Sequence, residues 1–167
     1  FQPLIYQVAS AGMEPSSISF PYRRIFQKYK NLYFRLAEVK QIDVKNKIVI
    51  TSIGNVSYDY VVLAAGATSN FFGNKEIEKG SMAMKSLSEA ARIRNTVLAN
   101  IERAITTEDP VFRQELLNIV VVGGGATGVE LAGVMSEMKK TILPRDYPEL
   151  DASLMNVYLI QGDNRLL

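Results

Sequence analysis

Apolar and polar positions change period several times along the chain, and each change marks an element. Residues 1–20 carry Pro3, Gly12 and Pro15 without a clean period and read as loop with a short helix. In 21–30, Tyr22, Ile25, Phe26 and Tyr29 recur at i, i+3, i+4 and i+7. That spacing predicts an amphipathic helix entered through Pro21, with Arg23, Arg24, Lys28 and Lys30 on a solvated face. Strand signals follow in "LYFRLAEVKQIDV" (32–44), "KIVITS" (47–52) and "VSYDYVVLAAG" (56–66), which are rich in β-branched and aromatic residues. The first two alternate, as an antiparallel ribbon with one wet face should. "YVVLAA" (60–65) does not alternate, which predicts a strand buried on both faces.

Residues 67–81 are polar and glycine-bearing and read as a linker. Beyond them, Ser86 and Glu89 have capping-box spacing. Ala90, Ile93, Val97, Leu98, Ile101 and Ile105 then form a helical stripe. Asp109-Pro110 starts a short helix, with Asp as cap and Pro in first position. "NIVVV" (118–122) reads as a buried strand, 126–143 as a helix, "PRDYPELD" (144–151) as a loop and "NVYLI" (156–160) as a second strand. Strands alternating with helices predict an α/β fold.

Composition narrows the chemistry. The chain is 47% hydrophobic over 167 residues, enough for a core, and holds one domain or two small ones. Its formal charge of +2 marks no nucleic-acid or polyanion partner. With no cysteine there is no disulfide framework, CxxC redox pair or thiolate metal site, and with no histidine the commonest general base and metal ligand are gone. No metal site is expected. The longest apolar runs fall far short of the ~20 residues that span a bilayer. The chain opens on Phe1 in what reads as mid-protein sequence, so a piece of a longer protein is expected.

The richest stretch is "NIVVVGGGATGVELAG" (118–133). Gly123, Gly125 and Gly128 fit G-x-G-x-x-G directly after a strand and at the start of a helix. In a dinucleotide-binding βαβ unit the first glycine permits the tight turn, the second lets backbone approach a pyrophosphate, and the third lets helix pack on strand. Gly124, Ala126 and Thr127 complete the turn, and the helix opening near Ala126 would aim free N–H groups at the phosphates. The alternative is a glycine turn that merely eases strand into helix. The fingerprint expects an acidic residue after the second strand to hold the adenosine ribose, but Gln161 stands there, with Asp163 two positions on. A glutamine donates to a 2′-phosphate where a carboxylate would repel it, so NADP(H) joins NAD(H) as an expected nucleotide. Glu130 is either a carboxylate favoured by the helix N-terminus or a group facing the nicotinamide.

"YDYVVLAAGATSNFFG" joined to "VVVGGGATGVELAG", with "FQPLIYQVASAG", "RLAEVKQID" and "ILPRDYPELD", resembles the two-dinucleotide-binding-domain flavoproteins, and closely the type II NADH dehydrogenases (non-proton-pumping NADH:quinone oxidoreductases). The resemblance implies an FAD/NAD(P)-binding Rossmann-like fold, present in part, with an antiparallel β-ribbon. It implies a partial FAD-binding domain over 1–73 and an NAD(P)H-binding domain over 74–167, cut short at its C-terminal side. It further implies FAD as cofactor, with the backbone at Val39 near the adenine and Ala65-Gly66 near the FAD phosphates and adenosine. Glu130 would face nicotinamide and flavin, and hydride from NADH would reach the flavin and then a membrane quinone. Ala126 replaces the family's usual proline, and Gln161 a frequent glutamate. The parent is expected at the cytoplasmic face of a membrane, as a homodimer, with the 167-residue piece itself soluble and inactive alone. Other pyridine-nucleotide flavoprotein reductases, and a non-catalytic NAD-sensing module, are the alternatives.

Overall fold

The computed structural model describes residues 1–166. Helices α1 (Ile5–Ala9), α2 (Pro15–Ile18) and α3 (Tyr22–Phe26) precede strands β1 (Val39–Asp43), β2 (Ile48–Thr51) and β3 (Gly54–Ser57). Helices α4 (Lys75–Gly80), α5 (Leu87–Thr106) and α6 (Pro110–Leu117) lead to β4 (Asn118–Val122). Helix α7 (Ala126–Glu137), a π-helical turn (Met138–Ile142) and α8 (Leu143–Asp146) then connect to β5 (Asn156–Ile160). The chain divides into two compact units, Phe1–Ser19 with Ser69–Leu167, and Phe20–Thr68.

In the larger unit β4 and β5 pair in parallel, Asn118 opposite Asn156 through Val122 opposite Ile160. A parallel pair needs a crossover, and α7 supplies it while packing on both strands. Helix α1 is too short to hold alone in water. It forms because Ile5, Val8 and Ala9 are buried where it packs against α5 and α7. The expected start of α5 is present in full. Ser86 Oγ accepts from Glu89 N–H, while Glu89 accepts from the N–H groups of Ser86 and Lys85. Those two donors hold the Glu89 carboxyl below the usual range. Ala90, Ile93 and Ile101 of the expected stripe are buried. Asp109 caps α6 through Val111 N–H and Phe112 N–H.

Phe20–Thr68 carries the expected antiparallel ribbon, ordered β1-β2-β3 with Asp43 opposite Ile48 and Ile48 opposite Ser57. Several expectations fail here for one reason: burial depends on neighbours that local pattern does not see. The first strand covers 39–43 rather than 32–44, and the third spans 54–57. "YVVLAA" is not a strand, and Leu63 is 74% exposed. A doubly buried strand needs a sheet to join and a layer on each face of it, and no described strand pairs with 60–65. The helix expected over 21–30 closes after Phe26, leaving Tyr29 outside it.

Three further corrections fall in the larger unit. The expected linker holds α4, because Asn74 Oδ1 accepts from the N–H groups of Glu76 and Ile77 at 3.1 Å each. "NIVVV" is buried on one face only, with Val121 inside and Val120 and Val122 54% and 66% exposed. The helix expected over 126–143 ends as α-helix at Glu137. Pro144 has no N–H to give Lys140, and the chain widens into the π turn before it.

Candidate functional site at the glycine turn

The β4–α7 turn is built by three glycines in three different ways. Gly123 adopts φ +110°, a left-handed conformation that L side chains rarely take, and donates its N–H to Ile160 O at 2.8 Å. The strand pairing therefore continues one residue into the turn. Gly128 lies against that turn, and a Cβ there would fall far inside contact with the Gly123 carbonyl oxygen and 3.1 Å from its carbon. Gly125 is the N-cap of α7, at φ −74° and ψ 176°, and a Cβ added to it would meet open space. The tight turn at Gly123 and the close contact at Gly128 are thus present, while Gly125 leaves its backbone facing open space.

Ala126, Thr127 and Gly128 are the first three residues of α7, whose N–H groups lack intrahelical acceptors. No side chain caps this end. An open, uncapped start of a twelve-residue helix, with space at Gly125, suits an anionic group.

Gln161 and Gly124 meet directly. Gly124 N–H donates to Gln161 Oε1 at 2.8 Å, 37 residues away in sequence. With its oxygen committed there, the Gln161 amide keeps two N–H donors for another partner. A Cβ on Gly124 would sit 2.6 Å from Leu166 Cδ2 and 3.1 Å from Gln161 Cβ, so a fourth glycine at this turn is required by close approach of the chain that follows β5. Gly124, Gly125, Gln161, Asp163, Asn164 and Arg165 line one concavity of about 440 Å³. Asn164 and Arg165 escaped sequence reading. Their signal was position alone, a donor-bearing pair three and four residues after the expected ribose contact.

Glu130 stands in the second turn of α7, exposed, with no hydrogen bond or ion pair among the described residues. The reading of it as a helix-end carboxylate is weak there, because the dipole effect fades beyond the first turn. In Phe20–Thr68, Val39 opens β1 opposite Thr51, and Ala65-Gly66 lie in irregular chain with Gly66 at φ +74°. All three are exposed.

A family model for the pyridine nucleotide-disulphide oxidoreductases matches residues 1–167. The chain belongs to this family. The type II NADH:quinone oxidoreductase Ndh of Mycobacterium tuberculosis is 34% identical over 166 residues, covering 97% of this chain and 36% of that protein. The external alternative NAD(P)H-ubiquinone oxidoreductase B2, mitochondrial, of Arabidopsis thaliana is 34% identical over 178 residues, covering 99% and 31%. The structure of NDH2 from Plasmodium falciparum in complex with NADH superposes with a TM-score of 0.86 at 23% identity, over 99% of this chain and 35% of that one. The expected FAD/NAD(P)-binding type of fold is therefore present, and so is the resemblance to type II NADH dehydrogenases. The chain spans about a third of the length of these relatives. No helix among the described residues is long and apolar enough to cross a membrane.

Proposed function

We propose that this chain contributes the nicotinamide-nucleotide site, and part of the flavin site, of an NAD(P)H:quinone oxidoreductase. The observation that carries the reading is the uncapped start of α7 behind Gly125, joined by the Gly124–Gln161 bond to the concavity at the end of β5. In this reading the N–H groups of Ala126, Thr127 and Gly128 hold the pyrophosphate. Residues 74–167 form the nucleotide domain, and residues 1–73 belong to the flavin domain. The backbone at Val39 and at Ala65-Gly66 is exposed and fits contact with FAD. Residues 20–68 contain no second G-x-G-x-x-G turn, so they supply only a portion of that site. Bound flavin supplies the hydride acceptor and the electrons for quinone reduction, as flavins do in pyridine-nucleotide reductases. The printed names of the relatives support NADH or NAD(P)H as donor and a quinone as acceptor. Attachment to a membrane and a homodimeric state belong to the same proposal.

Glu130 is assigned to the nicotinamide end. Its carboxylate has no structural partner among the described residues and is free to hold or move a proton there. In the flavin-loaded protein, Glu130→Gln should slow flavin reduction or its coupling to quinone by about a hundredfold, the low end for a positioned acid or base. The fold and NADH affinity should be unchanged. Stopped-flow traces equal to those of the unmutated protein at every pH would remove Glu130 from the site.

Gln161 makes the site permissive toward NADPH. Its two remaining N–H donors, with Asn164 and Arg165 in the same concavity, outweigh the single carboxylate of Asp163 near a 2′-phosphate. Gln161→Glu retains an acceptor for Gly124 N–H but adds a negative charge. It should shift the NADPH-to-NADH ratio of kcat/KM toward NADH by roughly tenfold to a hundredfold, on the scale of a like-charge contact. A strong NADH preference that Gln161→Glu leaves unmoved would assign nucleotide choice to another residue.

A further inference from the structure

The first two N–H groups of the glycine turn are both held from the end of β5, one by backbone and one by a side chain. Gly123 N–H donates to Ile160 O at 2.8 Å and continues the β4–β5 ladder. The chain then turns at Gly123 with φ +110°, and the next donor, Gly124 N–H, meets Gln161 Oε1 at 2.8 Å instead of a main-chain carbonyl. Gly124 is buried, whereas Gln161 is exposed. A buried backbone N–H left without a partner costs about as much as a lost hydrogen bond, so this donor needs its acceptor. The fit is close as well as polar. A Cβ on Gly124 would lie 3.1 Å from both Cβ and Cγ of Gln161, so the aliphatic stem of the glutamine runs along the glycine. The same turn is pinned from α7, where Gly128 lies against the Gly123 carbonyl.

We infer that Gln161 is a positioning residue whose side-chain carbonyl latches the glycine turn in the shape that receives a pyrophosphate. This role rests on the nucleotide reading of the site, and it gives Gln161 a second task besides contact with the 2′ position. Gly124 immediately precedes Gly125, the N-cap of α7, so its peptide sets where the N–H groups of Ala126, Thr127 and Gly128 stand. Donors fixed before the anion arrives lose less freedom on binding, and affinity rises accordingly. The latch also joins the two ends of the nucleotide site. The residue placed to meet the adenosine ribose is bonded to the turn placed to meet the phosphates. What the turn requires at position 161 is an acceptor at the end of a two-methylene stem. Glutamate supplies it, leucine has no acceptor, and asparagine holds its oxygen one methylene too short. Position 161 is therefore constrained by the turn whichever nucleotide binds.

Two measurements on the flavin-loaded protein test the latch. Without nucleotide, the Gly124 amide should exchange its hydrogen about tenfold faster in Gln161→Leu and Gln161→Asn than in the unmutated protein, the scale of one hydrogen bond. Gln161→Glu should restore the unmutated rate. Gln161→Asn is the smaller change and carries the test if the leucine variant melts early. The second measurement uses an NADH analogue whose adenosine ribose lacks both hydroxyls, which leaves Gln161 no ribose hydroxyl to hold. Gln161→Leu should still weaken binding of this analogue about tenfold, and Gln161→Glu should bind it as the unmutated protein does. Exchange at the unmutated rate in the leucine and asparagine variants overturns the latch. So does an analogue affinity that Gln161→Leu leaves unchanged, which would confine Gln161 to ribose contact. The exchange measurement needs no nucleotide, so it decides whether Gln161 holds the turn even if Gly125→Val leaves NADH binding intact and the nucleotide reading falls.

Discussion

Gly128→Ala should destabilise the protein by about 2–4 kcal/mol, while Gly133→Ala in the same helix should leave it unchanged or stabilise it by up to about 1 kcal/mol. Both substitutions add one methyl group to α7, and alanine is the better helix former at both positions. They differ in what the methyl meets. At Gly133 it enters open space. At Gly128 it overlaps the carbonyl oxygen of Gly123, which is backbone held at φ +110° and tied by its N–H to Ile160 O. A flexible side chain could swing aside, but this carbonyl cannot without breaking the turn or lifting α7 off β4 and β5. Against a typical total of 5–15 kcal/mol, the loss is a large fraction. Urea denaturation of the two variants decides it. Equal midpoints would mean that the turn relaxes freely and that Gly128 is not needed for packing.

What sequence shows and what it hides follows from the range of each interaction. Helix α5 was legible because its capping box and its 3.6-residue stripe are complete within one segment. The glycine turn was legible for the same reason: its φ requirement and its spacing are local. "YVVLAA" was not, since a non-alternating apolar run says that both faces prefer burial, but not that partners lie alongside. The outward faces of β4 and β5, with Val120, Val122, Tyr158 and Ile160 exposed, show the same limit. Asn164 and Arg165 were hidden because the concavity exists only once the end of β5 returns to Gly124, 37 residues back from Gln161.

Gly125→Val should weaken NADH binding by at least a hundredfold while leaving the fold nearly intact. The glycine stands where the open end of α7 would receive the pyrophosphate, with nothing near its missing side chain. Its φ of −74° and ψ of 176° are extended backbone that valine adopts without strain, so the structural cost is the modest loss of a favoured N-cap residue, under about 1 kcal/mol. The binding cost is larger because the branched side chain fills the space between the phosphate and the N–H groups of Ala126, Thr127 and Gly128. Hydrogen bonds to a charged group contribute about 1.5–3 kcal/mol each. Losing two exceeds the ~2.8 kcal/mol that corresponds to a hundredfold in affinity. Gly125→Ala should fall between valine and glycine, since its single methyl blocks less of the approach. Titration of NADH fluorescence, paired with a thermal melt, separates the two effects. A valine variant that melts normally and binds NADH as before would mean that the phosphates do not lie at this turn, and the nucleotide assignment would fall with it.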